Sequence, residues 1–446
     1  MNESDFSHSD EQLREIARDA LERARRQGAS ACEVEVSVGY GQTVTVRMGD
    51  VETLEYSRDK GLGVTVFLDK RRGHASTSDL DPEAVRQAVE AALAIARHTA
   101  ADECAGLADE DLLARDIPDL DLYHPWSLPV ESAVELAKTC EEAAFAVDKE
   151  VRNSEGATVS VQASRFVYAN SLGFMGGYPA TRHSISCAVI AGQDEAMQRD
   201  YWYSSARSPE DLEPAAAVGR RAGERAVARL GARRLPTREA PVLFEAPVAA
   251  SLLSHFVAAA SGGNLYRRAS FLLDRLGEPV FAPLVQIDER PHLKRGLASA
   301  PFDEEGVATR DRNVVKDGVL QGYFLGSYSA RKLGLRSTGN AGGNHNLLLA
   351  GGPLDFAGLL KALGTGLVVT ELLGHGVNLV TGDYSRGAAG YWVEGGEIAY
   401  PVQEITIAGN LIDMFRTIAA VGNDVVVRGS KQCGSILIEH MTVAGE

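Results

Sequence analysis

The stretch GHGVNLVTGDYSRGAAGYWVEGGEIAYPVQEITIAGNL, residues 374–411, decides how the C-terminal half of this chain is read. Glycine at this density belongs either to a flexible low-complexity tract or to a tightly turned backbone. The tyrosines, Trp392 and the β-branched runs at 377–380 and 405–407 favour the tight backbone, because a solvated tract has no use for them. A lone polar pair, Gly409-Asn410, interrupts an apolar run near the end. Such a backbone is suited to close approach of another group. Asp383 and Arg386, in TGDYSRG, read either as an ion pair fixing a turn or as the lining of a pocket.

Outward from this stretch the texture stays the same. Apart from helices at 247–260 and around 354–363, residues beyond 235 form glycine-punctuated strands, expected at 280–287, 319–324, 398–407, 424–428 and 435–443. The pattern predicts a β-rich domain, mixed or antiparallel.

The N-terminal half reads as α/β. Ser9 and Gln12 form a capping box ahead of an apolar face of Leu13, Ile16, Ala17, Ala20, Leu21 and Ala24, ended by Gly28. Alternating valines follow at 34–38, 44–46 and 64–66, and Asp81-Pro82 opens a second helix. The plan then recurs. A helix marked by Val130, Ala133, Val134, Ala137, Cys140 and Ala144 precedes strands in which TVSVQ at 158–162 echoes TVTVR at 43–47. DLEP at 211–214 echoes DLDP at 79–82 before another helix. An internal duplication accounts for this, as do two unrelated segments sharing common capping chemistry. RRLPT at 233–237 reads as a linker. The expected organisation is 1–115, first α/β segment; 116–234, second α/β segment; and 235–446, β-rich C-terminal domain.

Composition narrows the function. With 446 residues, 45% hydrophobic and 24% charged, the chain can bury a sizeable core. Its 61 acidic and 45 basic residues give a formal charge of -16, which disfavours nucleic acid and anionic membrane as partners. No uninterrupted apolar run approaches the ~18 residues of a membrane span, and the polar start MNESDFSHSDEQL has no signal-peptide character. Five cysteines with no C-x-x-C pair fit a reducing compartment. A soluble, cytoplasmic protein is expected.

Recognisable chemistry is sparse. The helix at 247–260 carries Val248, Leu252, Phe256 and Ala259 or Ala260 on its buried face, with Ser254-His255 off it. A metallopeptidase helix needs two imidazoles on one side and a carboxylate base; LLSHFVAAASGGN offers one histidine and no glutamate. The Gly339–Asn344 segment resembles an anion nest but lacks the P-loop lysine and context, so a structural turn is the better reading. No G-x-S-x-G elbow occurs. Cys433 reads as an inert thiol at a sheet edge or as an exposed thiolate near Lys431, able to act with His375 or His440.

Together with SGGNLYRRASFL (261–272), DGVLQGYFLGSYSARKLGL (317–335) and QCGSILIEHMTVAG (432–445), the 377–411 block closely resembles the PmbA (TldE) branch of the TldD/PmbA family of bacterial metalloprotease subunits. The likeness runs over essentially the whole chain. It implies the following. TldD-type subunits hold a divalent metal with His-Glu-x-x-x-His on a helix and a later cysteine, whereas PmbA-type subunits lack that motif and pair with them as heterodimers. The complex cleaves unfolded or extended peptides, among them a leader peptide and an antitoxin. In this register, anchored by GNLYRR at 263–268, the two metal-binding histidines fall on Ser254 and Ala259, the general-base glutamate falls on His255, and Cys433 stands where the family's cysteine would be.

The resemblance thus implies a subunit with no catalytic residue or cofactor of its own and a divalent metal in a TldD-like partner. Alone it would form a homodimer. Gly376, Asn378, Asp383, Arg386 and Asn410 would line a wall against which an extended peptide lies. The rival expectations are a stand-alone peptide-binding scaffold and a thiol hydrolase built on Cys433.

Overall fold

The computed structural model describes residues 6–445 and is a mixed α/β structure with β-rich regions. The N-terminal half runs α1 (Asp10–Arg26), β1 (Ala31–Arg47), β2 (Asp50–Leu68), β3 (Arg71–Thr77), α2 (Pro82–His98), then α3 (Val130–Phe145), β4 (Val151–Asn170), β5 (Met175–Ala191), β6 (Gln198–Ala206) and α4 (Ala215–Ala228). Helix, three strands, helix therefore occurs twice. The two copies share one antiparallel sheet, ordered β3-β2-β1-β4-β5-β6. The echoing segments meet at its centre: Thr43 lies opposite Ser160 and Thr45 opposite Thr158, with Thr45 Oγ1 and Thr158 Oγ1 2.9 Å apart.

Residue alternation decides which face is covered. Val34, Val36, Val38, Val44 and Val46 point to one side of β1 and are buried. The first three pack with Leu13, Ala17 and Ala20 of α1 and Val85 and Val89 of α2; the last two join Ala133, Ala137 and Cys140 of α3 and Val218 and Ala222 of α4. Ser9 caps α1 as the reciprocal box requires, and Pro82 opens α2. The opposite side of β1 carries Glu33, Glu35 and Ser37, and these line cavities shared with the C-terminal half.

The C-terminal half contains β7 (Arg238–Phe244), α5 (Ala246–Ala259), α6 (Gly262–Tyr266), β8 (Ile287–Glu289), β9 (Arg312–Lys316), β10 (Val319–Leu320), α7 (Ser327–Lys332), β11 (Leu347–Leu349), α8 (Phe356–Leu363) and β12 (Gly366–Leu373). These are followed by β13 (Asp383–Glu394), β14 (Glu397–Asn410), α9 (Leu411–Arg416), β15 (Ile418–Val421), β16 (Lys431–Gln432) and β17 (Ile436–Ala444). One sheet has the order β14-β13-β12-β7-β17-β15; β14 also pairs with β17, bringing that sheet back on itself. A second has the order β10-β9-β8-β11-β16. Helix α5 lies in the main core, where Phe256 meets Phe281, Phe324 and Phe415 edge-on.

Three expected strands are not formed as predicted. Residues 280–286 are turns: prolines at 279 and 283 remove donors, and the Gly318 carbonyl accepts from both Val280 and Phe281 N–H groups while Phe281 plugs the core. The run at 319–324 is strand only over its first two residues, and 424–428 is loop, with Val425 and Val427 exposed. The β-branched run at 377–380 is a turn with one bridge, Val377 to Tyr384. Nor is 233–237 a free linker: Leu235 is buried in the C-terminal core, and Arg233 stacks 3.4 Å over Tyr400.

Candidate functional site at the seam of α5 and β13

Most of the wall residues read from the sequence close on one another. Asn378 Oδ1 accepts from the Val380 and Thr381 N–H groups, its N–H donates to the Asp383 carbonyl, and its carbonyl accepts from Gly382. Asp383 accepts from Thr381 Oγ1 at 2.6 Å and from Asn410 Nδ2 at 3.2 Å. Asn410 also caps α9 by accepting from the Ile412 N–H. Gly376 accepts from the Ser385 N–H at 2.7 Å, so close that a Cβ there would fall 2.0 Å from the Ser385 carbonyl oxygen. Gly376, Asn378, Asp383 and Asn410 thus brace a turn. Asp383 does not pair with Arg386; its bonds go to Thr381 and Asn410.

Arg386 stands apart. It is half-buried on β13, its Nε has no hydrogen-bond partner, and no ion pair involves it among the described residues. Tyr384, two residues earlier on the same face, is 1% exposed, and its hydroxyl is likewise unpartnered. Both face α5, where His255 packs edge-on against Tyr384 with ring centroids 6.0 Å apart. Burial first, and then the Arg386 guanidinium, hold the His255 imidazole below its ordinary range and so keep it neutral. Ser251, one turn earlier on α5, has an unpartnered Oγ too.

A divalent metal of the kind the resemblance gives to TldD-type subunits does not fit these residues. Ser254 Oγ donates to the Ala250 carbonyl at 3.1 Å, Ala259 has no ligand atom, and the nearby charge is the cationic Arg386. Cys433 is not with them. Its Sγ lies 4.0 Å from the carbonyl of Ala246, the first residue of α5, and eight residues of helix at ~1.5 Å each separate Ala246 from Ser254. Burial, aided by Asp424, pushes the Cys433 thiol up to about 12. It is therefore neither an exposed thiolate nor a partner for His375 and His440, which lie exposed on other segments. The thiol-hydrolase expectation fails on this geometry.

A second feature escaped the sequence reading. The open side of the N-terminal sheet lines a cavity of about 620 Å³ that includes Glu33, Glu35, Lys60, Arg72, His74, Tyr168 and Glu304. Beside it, a cavity of about 370 Å³ shares Glu35, Ser37, Tyr168 and Glu304 and adds Asp303, Gly342, Gly343 and His345. Burial raises Glu33 and Glu35, and burial with Glu305 pushes Asp303 up to about 7. The Tyr168 hydroxyl donates to Glu33 at 2.9 Å. These residues come from four stretches of the chain, 33–74, 168, 303–304 and 342–345, and nothing in their local spacing marks them as neighbours. The Gly339–Asn344 segment is a structural turn, as expected: Asn340 Nδ2 donates to Glu289 and to the Gly343 carbonyl.

The fold is a two-copy α/β half followed by a β-rich half that holds an apolar helix against a nearly closed sheet. The PmbA/TldA metallopeptidase domain 1 matches residues 32–96, its central domain 123–230 and its C-terminal domain 237–445. The chain is 50% identical to Metalloprotease PmbA of Escherichia coli O157:H7, over 97% of this chain and 96% of that one. It is 48% identical to a Metalloprotease PmbA homolog of Haemophilus influenzae, over 98% and 97%. A crystal structure from Bacteroides thetaiotaomicron, 28% identical, superposes with a TM-score of 0.93 and covers 98% of this chain and 100% of its own. The chain belongs to the PmbA/TldD metallopeptidase family. Among the described residues no helix is long and apolar enough to cross a membrane.

Proposed function

We propose that this chain is the PmbA-type subunit of a cytoplasmic two-subunit peptidase and does not itself carry the hydrolytic metal. The divalent ion belongs to a TldD-type partner, and this chain supplies part of the enclosure that holds an extended or unfolded peptide. Without that partner it self-associates as a homodimer. The observation that carries this reading is the seam at α5. Where the resemblance expects imidazoles and a carboxylate, the chain presents Ser254, neutral His255 and Ala259 beside the Arg386 cation. A positive charge next to a single imidazole opposes a divalent cation, which needs three or four donors of the right kind. The polar cavities on the open side of the sheet support the peptide part of the proposal, being adjacent and lined from both halves.

The test is cleavage of an extended, fluorogenic peptide by the full chain alone, by a TldD-type subunit alone and by their mixture, with and without chelator. Chelator-sensitive cleavage that needs the mixture supports the proposal. Chelator-sensitive cleavage by this chain alone overturns it.

A further inference from the structure

Four buried polar atoms at the α5–β13 seam have no partner among the described residues: Ser251 Oγ, His255 Nε2, Tyr384 OH and Arg386 Nε. Ser251 and His255 are one turn apart on α5, and Tyr384 and Arg386 are alternate residues on β13, so each pair shares a face. The His255 ring edge against Tyr384 joins the two elements, and the Arg386 charge acts on both rings. Native proteins bond nearly all buried polar groups, and they pair buried charge. A 1%-exposed tyrosine hydroxyl and a half-buried arginine, orphaned together, mark a missing complement.

The donors define that complement. Arg386 can only donate; serine, tyrosine and neutral histidine each have a hydrogen to give. Asp383, the carboxylate three residues from Arg386, is bound to Thr381 and Asn410. The matching group is a planar anion that accepts several hydrogen bonds, and the guanidinium fork fits a carboxylate bidentately. Ser251, His255 and Arg386 are half-buried while the four orphaned polar atoms of the seam are buried, so an incoming anion must displace the surrounding side chains to reach them.

We propose that the α5–β13 seam binds a carboxylate of a peptide, either its C-terminus or an acidic side chain, with Arg386 as the charged anchor and Tyr384 and His255 as flanking donors. This rests on the reading of the chain as a peptide-handling subunit and goes beyond it. The helix that would grip a cation in a TldD-type subunit here serves an anion.

The test uses the full-length chain and fluorescence anisotropy of three N-terminally labelled extended peptides. One has a free C-terminal carboxylate, one is its C-terminal amide without acidic residues, and one is that amide with a single interior glutamate. At least one of the two carboxylate peptides is expected to bind about tenfold tighter than the neutral amide. Arg386→Gln should erase the difference and Tyr384→Phe should reduce it severalfold, with unchanged far-ultraviolet circular dichroism. Recovery of affinity by the glutamate peptide assigns the carboxylate to a side chain; no recovery assigns it to the terminus. Binding of both carboxylate peptides no tighter than the neutral amide, binding of none of the peptides, or an unchanged ratio in Arg386→Gln overturns the proposal. Should Arg386→Gln fail to fold, Tyr384→Phe carries the test. Cleavage by the two-subunit mixture is read separately, so loss of the carboxylate site would leave the subunit reading standing.

Discussion

Tyr384 places its hydroxyl in a core where no described residue bonds it, and burial raises that phenol well above its ordinary range. An unmade buried hydrogen bond costs about 1–3 kcal/mol, partly relieved by water. Tyr384→Phe is therefore expected to raise the unliganded protein's stability by up to ~1 kcal/mol in urea melts while weakening peptide-acid binding. A loss above ~1 kcal/mol would show that the hydroxyl has a structural bond after all. Asp303 gives a pH prediction. Its carboxyl is pushed up to about 7 by burial and by Glu305, against three backbone N–H donors from Glu305, Val307 and Ala341. A folded pKa above the unfolded value means stability is complete below about pH 4 and is lost as pH rises through about 7. The separation corresponds to about 4 kcal/mol, and Glu33 and Glu35 are shifted the same way. Asp303→Asn should flatten this decline between pH 4 and 7, although it lowers absolute stability by turning an amide NH₂ toward the Ala341 N–H. An undiminished slope would remove Asp303 as its source. None of this was legible from residue types, since Arg386 and Asp383 look like an ion pair until the turn around Asn378 claims the aspartate.

Among the elements, α3 and α4 cross so closely that a Cβ at Gly219 would fall 1.7 Å from the Cys140 carbonyl oxygen. Alanine favours a helix over glycine by ~1 kcal/mol, yet Gly219→Ala is expected to destabilise by about 1–3 kcal/mol because the helices must part. Chemical denaturation checks this, and a stabilised variant would contradict the packing. The elements also show what the sequence could convey. The capping box at Ser9, the Asp81-Pro82 start and the valine alternation of β1 are local signals, and each stands as read. The 280–287 and 377–380 runs look like strands by composition, but each is spent on a turn whose donors and acceptors lie elsewhere: the Gly318 carbonyl for one and Asp383 for the other. TVTVR and TVSVQ hinted at duplication, yet only the pairing of β1 with β4 shows the copies sharing one sheet.

At the scale of the whole molecule, the two halves are tied by buried charge. Asp200 on β6 lies 3.1 Å from Arg225 and 3.6 Å from Arg229, which in turn reach Glu245 and Glu371 of the C-terminal half at 2.8 and 2.6 Å. Removing one partner of a buried pair costs ~3–5 kcal/mol when nothing else compensates. Because each arginine keeps a second carboxylate, Asp200→Asn is expected to cost about 2–3 kcal/mol and to loosen the coupling between halves. Tryptophan fluorescence, with Trp202 on β6 and Trp392 on β13, should then show two unfolding steps; a single unshifted step would refute the tie. The cavities on the sheet's open side are also lined from both halves, by Glu35 and Tyr168 on one side and Asp303 and Glu304 on the other.

We propose that helix α5, where the resemblance places the metal helix of TldD-type subunits, repels cations here through the Arg386 charge beside His255. The most direct measurement is the zinc content of the full-length chain after equilibrium dialysis against micromolar Zn²⁺, read by mass spectrometry for the wild type and His255→Ala. The account predicts far less than one zinc per chain, with no difference between the two proteins. One zinc per chain in the wild type, lost in His255→Ala, would contradict it.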